Sequence, residues 1–168
     1  MKTLEDHLAA YAACHRDARN IATHCIGIPL IVAAVAILLS RPVLSGGSPA
    51  TVATLLAALY YLRLDLRLGL AMSVALGLAA ALGAWAAAHA TAFWLALGVG
   101  GFVTGWAFQL VGHLWEGRKP AFVDDLASLL IGPLFIAAET AFALGLRLSL
   151  RQAIESRAGP VRGGRAPR

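Results

Sequence analysis

Five apolar runs separated by short polar breaks organise the chain: residues 21–39, 50–62, 68–88, 93–115 and 126–148. Each is long enough for a helix, and uninterrupted apolar character over such lengths marks segments that face lipid. The first run stops at Ser40-Arg41-Pro42, followed by the turn-rich Ser45-Gly46-Gly47-Ser48-Pro49. The second ends where Arg63, Asp65 and Arg67 put charges within five residues. The third is rich in Ala and Gly, which suits close helix packing in lipid. The last is interrupted by Gly132-Pro133 and carries Glu139. Ahead of them, residues 3–14 alternate so that Leu4, Leu8 and Tyr11 share one side, predicting a short amphipathic helix on the membrane surface.

Charge placement sets the topology. With the N-terminus in the cytoplasm, Lys2, Arg16, Arg19, Arg63, Arg67, Arg118 and Lys119 fall inside and Arg41 outside, as the positive-inside rule asks. A fifth crossing would export the Arg-rich tail, so Gly132-Pro133 is expected to break the last run into a re-entrant or interfacial pair. The expected fold is an all-α polytopic membrane helix bundle. It has about four transmembrane spans, an N-terminal amphipathic helix and a Pro-broken last helix. One membrane-embedded domain covers 1–150, and 151–168 is a basic, disordered tail.

Composition supports this. Of 168 residues 59% are hydrophobic and 14% charged, against about 25% charged in a soluble domain. The N-terminus lacks the basic start, apolar run and small-residue site of a cleavable signal. The net charge of +5 is no nucleic-acid footprint, because six of the 14 Lys and Arg residues follow position 146 and the rest sit at span ends. An Ala-, Arg- and Gly-rich composition points to a bacterial inner membrane, with both termini cytoplasmic. Cys14 and Cys25 read as spare thiols on the reducing side.

The candidate chemistry lies at the mouths of the spans. His15 and His24 flank the entry to the first run, and His113 lies near the end of the fourth with Glu116 three residues on. Imidazoles and carboxylates in or near a bilayer are costly unless paired, wetted or bound. His15 and His24 are nine residues apart, about 900° of helix, so one continuous helix would oppose them. They converge only if the helix breaks, and Arg16-Asp17-Ala18-Arg19-Asn20 offers the break, with Asn20 as N-cap of the span. Gln109, His113 and Glu116 form a narrow polar stripe on one helix face. Glu139 is the remaining intramembrane carboxylate, a ligand or the hydrogen-bond acceptor of a ligating imidazole.

A single histidine at a span end is ordinarily an interfacial or packing residue. His15, His24, His113 and Glu116 gain weight because all map to the same cytoplasmic face. His7 and His89 do not join them. Trp85, Trp94, Trp106 and Trp115 read as interfacial aromatics, and Asp124 and Asp125 as caps of the last run. Ser128 and Ser149 have no adjacent base, and no phosphate-cradling glycine loop is present.

The pattern Tyr11-x3-His15-x4-Asn20-x3-His24-x4-Pro29, followed by WAFQLVGH, EGRKPAF, DDLASLLIGP and Glu139, resembles a family of small membrane proteins. The family is typified by the fungal 2-hydroxy fatty acid dioxygenase of sphingoid-base breakdown. The resemblance covers roughly residues 4 to 148. Fungal members carry one more residue between the motif histidine and its glutamate, which makes Glu116 a weaker candidate than the histidines. The resemblance implies an iron(II)-dependent dioxygenase of α-oxidation that takes one carbon from long-chain 2-hydroxy fatty acids as CO2. Its metal ligands would be His15, His24, His113 and Glu116, with Asn20, Gln109 and Glu139 as catalytic residues. Arg16, Arg118 and Lys119 would hold the substrate carboxylate. The implied partners are the 2-hydroxy fatty acid, O2 and membrane lipid, without nucleic acid, and a homo-oligomer is compatible with it. Two other readings stay open: a membrane hydrolase or hydroxylase using the same histidines with zinc or two irons, and a non-enzymatic transport or structural protein whose polar stripe holds helices together.

Overall fold

The computed structural model describes residues 2–41, 43, 47–118 and 127–163. Those residues form seven helices and no strand: α1 (Leu4–Ala12), α2 (Ala18–Leu39), α3 (Pro49–Leu64), α4 (Leu66–Ala87), α5 (Thr91–Glu116), α6 (Ser128–Ala143) and α7 (Leu148–Ala158). The all-α reading holds.

Local chemistry sets the helix starts. Thr3 and Asp6 form a reciprocal capping box at α1, with Thr3 Oγ1 accepting from the Asp6 N–H at 3.2 Å and Asp6 Oδ2 from the Thr3 N–H at 2.8 Å. Asp17 opens α2, its Oδ1 accepting from the Arg19 N–H at 2.9 Å. Asn20 therefore lies inside the first turn of α2 instead of capping it, and the helix break falls at residues 13–17. Asp65 serves two helices: its N–H closes α3 on the Tyr61 carbonyl at 3.0 Å, and its Oδ1 accepts from the Leu68 N–H of α4 at 2.8 Å.

Helices α2, α4 and α5, of 22, 22 and 26 residues, are long and apolar enough to cross a membrane. With 16 residues α3 is shorter than the about 20 a bilayer core needs. The last helical segment is bent, as expected, by 119° between α6 and α7. The bend, however, sits at residues 144–147, where Gly145 (φ 74°) and Arg147 (φ 57°) take left-handed conformations. Pro133 lies inside α6, where a missing N–H costs one backbone hydrogen bond without ending the helix.

The described chain divides into two compact units, Met1–Ile26 with Phe108–Arg168, and Gly27–Ala107. In the second, the Arg41 guanidinium donates to the carbonyls of Ala87, at 2.6 Å, and His89, at 2.5 Å, as a cation at the end of α4. Trp94 Nε1 donates to the Ile37 carbonyl at 2.6 Å. Leu55, Leu56, Leu66, Val74, Leu78 and Val103 are exposed, the surface expected of helices solvated by lipid. The chain is a membrane protein on this evidence of length and apolar surface.

The other unit places the site. Leu4, Leu8 and Tyr11 of α1 are buried, and α1 packs against α6 and α7. Its apolar side is thus covered by this chain's own helices and not by lipid. Leu134, Phe135, Ala138, Leu150 and Ile154 complete that core. Arg157 ties α7 to α1 through Asp6 at 2.8 Å and Glu5 at 3.6 Å. Residues 151–158, assigned from composition to a disordered tail, are therefore largely helix α7. Their partner is an apolar and acidic face that only the folded chain assembles. Residues 164–168 lie outside the described residues.

Candidate metal centre

Two helices and the connection between α1 and α2 bring His15, His24 and His113 together. His15 lies in the connection after α1, whose turn is closed by the His15 N–H on the Ala12 carbonyl at 2.9 Å. Its ring stacks on Tyr11 with centroids 4.1 Å apart and planes 1° from parallel, and Tyr11 in turn meets Phe135 at 5.0 Å. His24 stands in the second turn of α2, and His113 in the last turn of α5. The ring centroids form a near-equilateral triangle: 4.7 Å between His15 and His24, 4.9 Å between His15 and His113, and 5.0 Å between His24 and His113. One nitrogen from each lies within 4.8 Å of the others, a group able to hold a metal ion. Exposures are 1%, 1% and 8%.

Hydrogen bonds orient the rings. His15 Nδ1 bonds the Tyr11 carbonyl at 2.7 Å, and His24 Nδ1 the Asn20 carbonyl at 2.9 Å. A carbonyl accepts only, so each Nδ1 carries the proton and each Nε2 keeps its lone pair, the tautomer a metal ligand needs. His15 Nε2 and His113 Nδ1 are buried without a hydrogen-bond partner among the described residues. An unpaired buried polar atom costs about 1–3 kcal/mol, so bare nitrogens on neighbouring rings fit a shared cation. Burial lowers the His15 pKa to about 4, which keeps the imidazole neutral and able to ligate at neutral pH.

Glu116 belongs to the same cluster of elements but faces the connection. Its Oε2 accepts from the backbone N–H groups of Arg16 at 2.9 Å and Asp17 at 2.8 Å, and from Asn20 Nδ2 at 3.0 Å. Its Oε1 accepts from Arg162 Nη2 at 2.6 Å. With those donors the carboxylate anchors the His15 connection and the start of α2 to the end of α5, and the positive end of the α2 dipole favours the anion there. Close approach of α2 and α5 needs Gly112: a Cβ there would overlap Thr23 Oγ1 and Asn20 Oδ1 and stand 3.2 Å from His24 Nδ1.

The remaining candidates divide. Gln109 and Asn20 are buried, with Gln109 Nε2 and Asn20 Oδ1 unpartnered among the described residues. Arg16 donates through Nε to the His15 carbonyl at 3.0 Å and through Nη1 to the Gly159 carbonyl at 2.9 Å. Its Nη2 faces Glu139 at 3.8 Å. Arg118 Nη1 donates to the Ala13 carbonyl at 3.0 Å. Lys119, and the expected caps Asp124 and Asp125, lie outside the described residues. Sequence reasoning missed Arg162, which no local motif marks, and Asp17, whose capping role was given to Asn20.

The family described as "2-hydroxy-palmitic acid dioxygenase Mpo1-like" matches residues 1–144. The chain is also 32% identical over 155 residues to the "2-hydroxy-palmitic acid dioxygenase MPO1" of Saccharomyces cerevisiae, covering 90% of this chain and 87% of that one. No solved structure matches. His15, His24, Gln109, His113, Glu116 and Glu139 all fall inside the family match, whereas α7 and Arg162 follow it. The chain belongs to the Mpo1-like family.

Proposed function

We propose that this protein is an iron(II)-dependent dioxygenase of α-oxidation that shortens long-chain 2-hydroxy fatty acids by one carbon, released as CO2. The observation that carries this is the buried triangle of His15, His24 and His113, with one nitrogen of each within 4.8 Å of the others and His15 Nε2 and His113 Nδ1 unpartnered among the described residues. Kinship to a protein named for dioxygenation of 2-hydroxy-palmitic acid supplies the substrate class. The reaction balances without a further reductant: R-CH(OH)-COOH and O2 give R-COOH, CO2 and H2O, with all four electrons drawn from the substrate.

The three histidines hold the iron, and Glu116 acts as the clamp that fixes them. Iron(II), when bound, supplies a redox centre with positions left open for substrate and dioxygen. The protein's own polar atoms do the rest. Gln109 Nε2 offers a donor for a substrate carboxylate oxygen, and Asn20 Oδ1 an acceptor for the 2-hydroxyl proton. Arg16, balanced by Glu139, provides the buried positive charge that draws in the carboxylate, with Arg118 exposed at the end of α5. Lysine and arginine asymmetry supports both termini on the cytoplasmic side.

The test is oxygen uptake by the detergent-purified protein with 2-hydroxypalmitic acid, after metal removal and reloading. Iron(II) should restore uptake with one CO2 and one acid, shorter by one carbon, per O2. Restoration by zinc, or turnover of the metal-free protein, would overturn the reading.

A further inference from the structure

We propose that Arg162 is a positioning residue for the three-histidine site, and that residues 159–162 act as a strap across the connection carrying His15. The inference rests on the reading that these histidines hold a metal. The connection between α1 and α2 is not helical, so its polar backbone groups need partners from elsewhere. Glu116 takes the N–H groups of Arg16 and Asp17. The C-terminal segment takes two more. The Arg162 N–H donates to the Arg16 carbonyl at 2.6 Å, and the Arg162 carbonyl accepts from the Ala18 N–H at 3.0 Å, making an isolated parallel bridge between Asp17 and Arg162. Arg16 Nη1 reaches the Gly159 carbonyl at 2.9 Å.

Arg162 then adds its guanidinium. Nη2 lies 2.6 Å from Glu116 Oε1, and the Glu116 side chain is 1% exposed. The guanidinium takes the second carboxylate oxygen while Oε2 accepts from the connection, so the two ends of Glu116 are held at once by charge-assisted hydrogen bonds. One residue thus braces the loop from both sides, by its main chain on Arg16 and Ala18 and by its side chain on the anion beneath. His15, adjacent to Arg16, inherits the result. Gly159, with φ of 81°, ends α7 and turns the chain toward this position. Gly159 and Arg162 lie beyond the matched residues 1–144, so the strap is an addition to the part of the chain that carries the family signature.

The experiment uses full-length protein in micelles with cobalt(II) as a spectroscopic probe, in wild type, Arg162→Met, Arg162→Lys, Glu116→Gln, the Arg162→Met/Glu116→Gln double variant, and Arg157→Met. Arg157→Met cuts the tie of α7 to α1 without touching Glu116, and so reports generic loss of docking. Arg162→Met should weaken cobalt binding about 10- to 100-fold, the usual cost of losing a group that supports metal ligands. It should also alter the visible bands, with Lys recovering part of both. In the Glu116→Gln background the same change should add little, because both act on one carboxylate. Unchanged affinity and spectrum in Arg162→Met would overturn the proposal. So would an equal loss in Arg157→Met, or full additivity with Glu116→Gln.

Amide exchange separates this from the metal reading. If the wild type binds no cobalt, the metal assignment fails by itself. Faster exchange at Arg16, Asp17 and Ala18 in Arg162→Met but not in Arg157→Met would still support the strap, and equal exchange in all variants would sink it.

Discussion

Gly112→Ala tests how tightly the site depends on the approach of α2 to α5. The added methyl would overlap Thr23 Oγ1 and Asn20 Oδ1 and lie 3.2 Å from His24 Nδ1. None of these is a free chain end. Thr23 Oγ1 is bound to the Asn20 carbonyl at 2.8 Å, Asn20 to Glu116 at 3.0 Å, and His24 to the Asn20 carbonyl at 2.9 Å. Relief must therefore come from the helices moving apart by roughly 1 Å, with an overpacking cost of about 1–3 kcal/mol. A functional constellation tolerates about 0.5 Å of displacement, and His113 is the next residue along α5. Metal affinity should fall at least about tenfold, read by titration of the purified variant, together with a lower thermal midpoint. Gly100→Ala is the control, because nothing lies within 4 Å of its Cβ position. It should be neutral or stabilising by up to about 1 kcal/mol through helix propensity. If Gly112→Ala bound metal like the wild type, or matched Gly100→Ala in stability, the packing argument would be refuted.

Glu116→Ala should destabilise the fold in chemical denaturation by about 1–3 kcal/mol for each buried donor it leaves unpaired. Glu116→Gln, which keeps an acceptor, should weaken metal binding without abolishing it, whereas loss as complete as in His113→Ala would make Glu116 a ligand. In the metal-free protein, His15 titrates at about 4 against an ordinary 6.5. Below pH 6.5 the unfolded chain takes up a proton that the folded site refuses. Stability should therefore be full above that pH and decline toward pH 4, by on the order of 3 kcal/mol, as measured by urea unfolding across that window. A flat profile would contradict the burial of the ring. Thr3→Ala should cost about 1 kcal/mol by removing the cap of α1, and it should raise the Asp6 pKa, held at about 2 chiefly by its hydrogen bonds with Thr3, in a carboxylate NMR titration.

The spans and the histidines were legible in the sequence for one reason: lipid-facing segments admit few polar residues, so those present stand out. The break between His15 and His24 followed from helix geometry, but its position did not. Asp17 and Asn20 are both good caps, and the choice was made by Glu116, which engages the Asn20 amide from ninety-six residues away. The same distance hid the orientation of Glu116. Its spacing from His113 shows a shared face, while the donors that turn it from the three histidines belong to another helix start. Gly132-Pro133 reads as a break by local rule, yet α6 absorbs it and Gly145 makes the bend. The C-terminal segment misled through composition: Gly, Pro and Arg suggest a solvated tail, and only the assembled connection gives Arg162 its partners.

X-ray absorption at the iron edge of the reconstituted protein reads the central claim directly. Three imidazole nitrogens on one iron, reduced to two in each of the His15, His24 and His113 alanine variants and unchanged in Glu116→Gln, is the expected result. An iron environment of oxygen atoms alone, indifferent to all three histidine substitutions, would contradict it.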